Sequence, residues 1–157
     1  MRSGRNGSIR LLVVDDHPLV RDQLAQLLNG NGYRITLAVD GEDAINHLAE
    51  EPFDAVLSDV QMPNVNGFQL LQYVHQHYPH LPVVLMTAFE SESLRESAMG
   101  WGAVDLLQKP FEIEQLQAAL APHHRNPRLS PALLHTGASP SVAGLSERGP
   151  IPLPNQT

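Results

Sequence analysis

The 157-residue chain has no cysteine, which excludes disulfides and thiolate metal centres and suits a reducing compartment. No uninterrupted apolar run approaches the ~18 residues that a membrane helix requires, and the mean hydropathy of -0.18 argues against a membrane protein. A secretory leader is not expected either: "MRSGRNGSIR" is basic, but the apolar stretch after it soon meets two aspartates. A cytoplasmic location is therefore expected. Lysine and arginine form no cluster and the formal net charge is -7. Affinity for nucleic acid rests largely on cationic contacts to phosphates, so direct binding of DNA by this segment is not expected.

Hydrophobic residues make up 42% of the chain, enough for the core of one ordinary domain with a short extension. Short apolar runs alternate with helical patterns. "IRLLVV" (9–14) is a nearly continuous Leu and β-branched run, as expected for a strand buried on both faces. "PLVRDQLAQLLNGNG" then repeats apolar residues at Leu19, Val20, Leu24, Leu27 and Leu28, a helical spacing stopped by Gly30 and Gly32. "YRITLAV", "FDAVLS", "LPVVLMTA" and "AVDLLQ" read as four more strands. "DGEDAINHLAEE", "NGFQLLQYVHQHY", "ESESLRESAMGWG" and "EIEQLQAALAPHH" read as four more helices. Five strands alternating with five helices predict an α/β domain with a parallel sheet, over residues 9–121. Residues 1–8 are expected to be a flexible N-terminus. Residues 122–157, rich in Pro, Ser and Gly, bury too little to offset their ordering entropy and are expected to be a linker or disordered tail.

In such a fold, ligands gather at the carboxyl ends of the strands. Asp15 and Asp16 follow the first strand, Asp59 closes the third, Thr87 the fourth and Lys109 the fifth. Taken singly, each has an ordinary explanation. Asp15 or Asp16 could cap the next helix, Asp59 could be a turn residue, Thr87 could cap the helix starting near Glu90, and Lys109-Pro110 could be a plain turn. Their arrival at one edge is harder to explain that way. Carboxylates brought within a few ångströms either hold on to protons or share a cation. An all-oxygen donor set favours a hard cation such as Mg²⁺. An aspartate beside such an ion, a lysine and a hydroxyl is equipped to attack a phosphoryl group.

"LLVVDDHPLVR", "LSDVQMPNVNGFQLL", "VVLMTAF" and "GAVDLLQKPF" match, in order and spacing, the blocks of the receiver domain of bacterial two-component response regulators, which the chain resembles over residues 9–121. The resemblance implies a CheY-like, flavodoxin-like sheet of five parallel strands in the order 2-1-3-4-5. It also implies phosphorylation of Asp59 by a histidine kinase or phosphotransfer protein, with Mg²⁺ or Mn²⁺ as cofactor. By position, Asp16 is similar to a direct metal ligand, Asp15 to an acid that contacts the metal through water, and Gln61 to a ligand through its backbone carbonyl. Thr87 resembles the switch hydroxyl, Ala88 the small residue that leaves the phosphate accessible, and Lys109 the phosphate-pairing lysine. A cis peptide at Lys109-Pro110 is implied, and Pro63 and Gly67 shape the loop after Asp59. The domain would act by self-catalysed phosphorylation and dephosphorylation rather than as an enzyme. Its outlets would be a downstream protein target or a fused output domain, with a phosphorylation-dependent dimer left open.

One position departs from the pattern. Many receivers carry Tyr or Phe three residues before the lysine, where this chain has Leu106. Phosphoryl transfer does not need that ring, but the usual aromatic readout does. Two other readings stand beside the receiver. The first is a receiver-like interaction module that is never phosphorylated, against which the intact acid set and Lys109 stand. The second is a phosphatase of the haloacid-dehalogenase type, which would need an aspartate where Gln61 stands. His75 and His77, two apart on a helix, do not face each other and are expected in solvent; His17 and Trp101 are expected in loops. After residue 122 there is no helix-turn-helix pattern and no "GxxxxGK" loop. The expectation is a single-domain regulator or the N-terminal part of a longer transcriptional regulator.

Overall fold

The computed structural model describes residues 8–123; of the expected N-terminal and C-terminal extensions, residues 1–7 and 124–157 lie outside the described residues. Five strands, β1 (Ile9–Val14), β2 (Tyr33–Ala38), β3 (Ala55–Asp59), β4 (Val83–Thr87) and β5 (Asp105–Gln108), form one sheet in the order β2-β1-β3-β4-β5. All four pairings are parallel, with Leu11 opposite Ile35 and Ala55, Asp59 opposite Met86, and Thr87 opposite Gln108. The helices that alternate with them are α1 (Pro18–Leu28), α2 (Gly41–Glu50), α3 (Gly67–His77), α4 (Glu92–Trp101) and α5 (Ile113–Leu120), and α5 runs into a 3-10 turn at Ala121–His123.

The strand period of two divides the core into two layers. Leu11, Val13, Leu57, Val84, Met86 and Leu107 pack with Leu24 and Leu28 of α1 and with Leu116 and Leu120 of α5. Leu12, Val14, Val56, Leu85 and Leu106 turn the other way, onto Leu48 of α2, Phe68 and Leu71 of α3 and Ala98 of α4. Residues 11–14 have no exposure at all, which is why the first strand reads as a continuous apolar run rather than an alternation. Each fully buried Leu or Val contributes about 1.5–3 kcal/mol relative to exposure, so the central strands anchor the sheet.

The starts of α2, α3 and α4 are fixed by side chains. Asp40 caps α2 through Asp43 N–H (2.8 Å) and Ser91 caps α4 through Leu94 N–H (3.1 Å). Asn66 and Gln69 form a reciprocal box at the start of α3, each bond 2.9 Å. Trp101 departs from expectation. It is the last residue of α4, because the residue that ends that helix is Gly102, at φ 107°, and Gly100 is tolerated inside it. There Trp101 meets the edge of Phe68, with ring centroids 6.5 Å apart. His75 and His77 are exposed, and His77 stacks on Tyr73 at 4.1 Å. No described helix is long and apolar enough to cross a membrane.

Candidate functional site

The strand order reverses between β1 and β3, so the crevice outside their carboxyl ends is where this sheet type gathers ligands. Asp15 follows β1 and is completely buried, Asp16 is exposed beside it, and Asp59 ends β3 with 8% exposure. One carboxylate oxygen from each of these three lies within 4.8 Å of the others. Lys109 reaches in from beyond β5, with its Nζ 3.1 Å from Asp15 Oδ2 and 3.5 Å from Asp59 Oδ2. A single ammonium is thus shared by two of the three acids.

The ordinary explanations of the acids and of Thr87 do not fit, and Lys109, although it lies in the connection after β5, carries its side chain into the acids. The residue before α1 is His17, whose side chain makes no cap; instead its N–H donates to Asp15 Oδ1 (2.9 Å). Arg21 donates from Nη1 to the Asp15 carbonyl (2.8 Å), so the buried acid is fixed by side chain and backbone alike. Asp59 is a strand residue, not a turn residue, and the ladder continues past it through Val60 N–H to the Met86 carbonyl (2.9 Å). The cap of α4 is Ser91 rather than Thr87. The Lys109–Pro110 peptide is cis, and Lys109 N–H donates to the Thr87 carbonyl (2.8 Å).

The loop after Asp59 is tightly built. Gly67 N–H donates to the Val60 carbonyl (2.8 Å), and a Cβ on Gly67 would strike the Asp59 carbonyl and the Val60 Cα. Only glycine allows α3 to start this close to the site. Asn64 takes the left-handed conformation that Asn tolerates better than most residues, at φ 67°. Burial pushes the Asp59 carboxyl above its usual range, and the nearby Asp15 adds to this; Lys109 and a backbone hydrogen bond from Gln61 act in the opposite direction.

Asp15, Asp16, Asp59 and Lys109 therefore share one site. Gln61, Thr87 and Ala88 sit at its rim, lining a cavity of 400 Å³ that also touches Met62, Phe68 and Phe89. The Thr87 hydroxyl is tied to Phe89: it accepts from the Phe89 N–H and donates to the Phe89 carbonyl, both at 3.3 Å. Leu106 stands apart, with no exposure and inside the α2–α3–α4 layer. A larger open groove of 520 Å³ lies at the opposite edge of the sheet, lined by Leu48, Phe53, Tyr78 and His123, away from all these groups.

Three contributors escape a reading of the sequence. Arg21 lies a helical turn beyond the acids and bonds a backbone carbonyl, which leaves no trace in motif spacing. Arg95 pairs with Glu90 (2.6 Å) and Asp105 (3.0 Å) and donates to the Leu106 carbonyl (2.8 Å), joining α4 to β5 across separations that no helix periodicity announces. Phe89, at 82% exposure, is more exposed than the other large apolar side chains left outside the described core.

The family described as response regulator receiver domain matches residues 11–121. Among curated proteins, response regulator MprA of Mycolicibacterium vanbaalenii is 39% identical over 112 residues, which cover 71% of this chain and 48% of that protein. MprA of Mycobacterium tuberculosis is 39% identical over 113 residues, covering 72% and 49%. The chain spans about half the length of these relatives. Among solved structures, chemotaxis protein CheY4 of Vibrio cholerae superposes with a TM-score of 0.67 at 30% identity, over 72% of this chain and 96% of that one. Response regulator TrrA of Thermotoga maritima, solved in complex with Mg(2+)-BeF, gives 0.64 at 28% identity, over 71% and 96%.

Proposed function

The chain belongs to the response regulator receiver domain family, and from that premise we propose that Asp59 accepts a phosphoryl group and that the acyl phosphate changes what the domain binds. The observation that carries the reading is the Lys109 ammonium shared between Asp59 and the buried Asp15, with Asp16 completing a triad of acids within 4.8 Å. A structural salt bridge needs one acid for one lysine. A cluster of three acids with one lysine paired to two of them leaves negative charge for something else to neutralise.

The donors on offer are carboxylate and carbonyl oxygens, which fit a hard divalent cation. Asp15, Asp16, Asp59 and the Gln61 carbonyl are the residues that would hold Mg²⁺ or Mn²⁺, Asp15 through water. Bound there, such an ion supplies positive charge that screens the acids and draws electron density from the phosphoryl oxygens. In the transfer, a carboxylate oxygen of Asp59 attacks phosphorus. A P–O bond forms as the P–N bond of the donor phosphohistidine breaks, and the imidazole leaves with the electron pair. Lys109 then pairs with one phosphoryl oxygen, and the Thr87 hydroxyl donates to another. The small side chain of Ala88, exposed at the rim, keeps the approach open. Water later attacks phosphorus, releasing phosphate and restoring the carboxylate. The complex of TrrA with Mg(2+)-BeF supports the reading, since that pair has the charge and size of a phosphoryl group with its cation.

The partners that go with this chemistry are a histidine kinase or phosphotransfer protein upstream and, downstream, a fused output domain or a separate protein. Phosphorylation biases an existing equilibrium between two conformations rather than making a new fold. The test is incubation with acetyl phosphate or phosphoramidate and Mg²⁺, followed by intact mass. An adduct on the wild type that is lost in Asp59→Asn supports the proposal. A wild type that stays unmodified with every donor overturns it, and leaves the unphosphorylated interaction module in its place.

A further inference from the structure

We propose that Phe89 is the moving aromatic of this domain, leaving solvent for the cavity beside Thr87 when Asp59 is phosphorylated; the inference rests on the phosphoacceptor reading above. The first support is that the usual place for a readout is already full. Leu106 has no exposure and packs in the core, and Arg95 clamps its carbonyl at 2.8 Å. A side chain that is buried at the outset has no outward state from which to move in. Phe89 is in the reverse condition: the residue is 82% exposed, at the rim of an open cavity of 400 Å³ whose apolar side is formed by Val60, Met62, Phe68 and Leu94 and whose polar side is formed by Gln61, Asn66 and Thr87. An apolar cavity of about 150 Å³ is enough to take a benzene molecule, so the ring has room.

The second support is the tether. The Phe89 backbone is held by one group, the Thr87 hydroxyl, which both accepts from its N–H and donates to its carbonyl at 3.3 Å. A hydroxyl has a single proton to donate. Once that proton goes to a phosphoryl oxygen on Asp59, the bond to the Phe89 carbonyl is lost, and rotation of the hydroxyl strains the other.

Its neighbours confine the change to Ala88 and Phe89. Glu90 is fixed on the far side, with its N–H on Gln108 Oε1 (2.9 Å) and its carboxylate on Arg95 (2.6 Å). The chain can therefore turn at Ala88 and Phe89 while β4 and α4 stay in place. Apolar surface favours the move inward once the tether is gone. What a partner reads is then the disappearance of an aromatic side chain from the rim of the site.

The test uses the full chain labelled with 4-fluorophenylalanine, whose four Phe positions give four fluorine signals; the Phe89 signal is identified by its absence in Phe89→Leu. Broadening by a soluble paramagnetic agent is measured before and after acetyl phosphate with Mg²⁺, and intact mass is taken on the same sample. The expected result is that Phe89 broadening falls to the level of Phe68, which is 1% exposed, in proportion to the adduct. In Leu94→Trp, which puts a large second ring into the cavity and adds no fluorine signal, the adduct should form and Phe89 should stay more exposed than in the phosphorylated wild type. An adduct without protection of Phe89 overturns this inference and spares the phosphoacceptor reading. Protection undiminished in Leu94→Trp overturns the cavity as the destination. No adduct at all overturns both.

Discussion

Replacing Asp59 by asparagine should make the fold more stable while abolishing its chemistry. With an effective dielectric of about 20, two charges as far apart as the 4.8 Å limit of this cluster repel by about 3.5 kcal/mol, and Asp59 has two such neighbours. Lys109 at 3.5 Å returns about 4.7 kcal/mol on the same scale. The repulsions exceed the attraction by about 2 kcal/mol; water around the exposed Asp16 reduces this, and the burial of Asp59 adds to it. Asp59→Asn is therefore expected to gain about 1–2 kcal/mol, or about 4–8 °C in Tm, in chelator at pH 7. The pH dependence follows from the raised carboxyl of Asp59. In the folded state it holds its proton to higher pH than in the unfolded chain, so its ionisation weakens the wild type as pH rises from about 4 through the raised folded value. Below that window the two proteins should be equally stable on this account, and above it the full gap should be present. Urea melts across pH 3.5–8 measure it. Saturating Mg²⁺ should narrow the gap, because ligand at 100 times its Kd adds about 2.7 kcal/mol to the protein that binds it. A variant no more stable than the wild type in chelator would refute the electrostatic reasoning.

Lys109→Met removes the cation that pairs with a fully buried Asp15. In chelator it should cost about 3 kcal/mol in a urea melt, as for other broken buried pairs, and an unchanged melt would mean that Asp15 finds another partner. Leu106→Tyr forces a larger, polar side chain into a position with no exposure. It should cost about 1–3 kcal/mol, and a cost near zero would show room at β5 that the packing does not suggest. Gly67→Ala drives a Cβ into the Asp59 carbonyl. The expected result is a loss of about 2 kcal/mol together with slower adduct formation from acetyl phosphate; full activity would show that the loop after β3 yields easily.

The architecture was legible because each strand is bounded by a change of pattern. Val14 gives way to Asp15, Ser58 to Asp59 and Met86 to Thr87, and those polar tips are the residues that meet in the crevice. Element ends were less so. Trp101 was expected in the loop before β5, yet of the two glycines beside it only Gly102 takes the positive φ that ends a helix. The sequence does not distinguish a glycine tolerated in a helix from one that stops it. In the site, Asp15, Asp16, Asp59 and Lys109 came together as their positions at strand ends implied. The clamps did not show in the same way. Arg21 and Arg95 bond backbone carbonyls and distant acids, and such contacts depend on the packing of α1 and α4 rather than on residue type. The link from Thr87 to Phe89 depends on where one hydroxyl points, which only coordinates reveal.

The most direct test of the central claim is to locate the phosphoryl group by chemistry specific to an acyl phosphate. The wild type is treated with acetyl phosphate and Mg²⁺, reduced with borohydride, and mapped by peptide mass. Borohydride turns a phosphorylated aspartate into homoserine, leaving free aspartates unchanged. The account predicts homoserine at position 59 and intact aspartate at 15 and 16. Homoserine at 15 or 16, or at none of the three after an adduct is seen by intact mass, would contradict it.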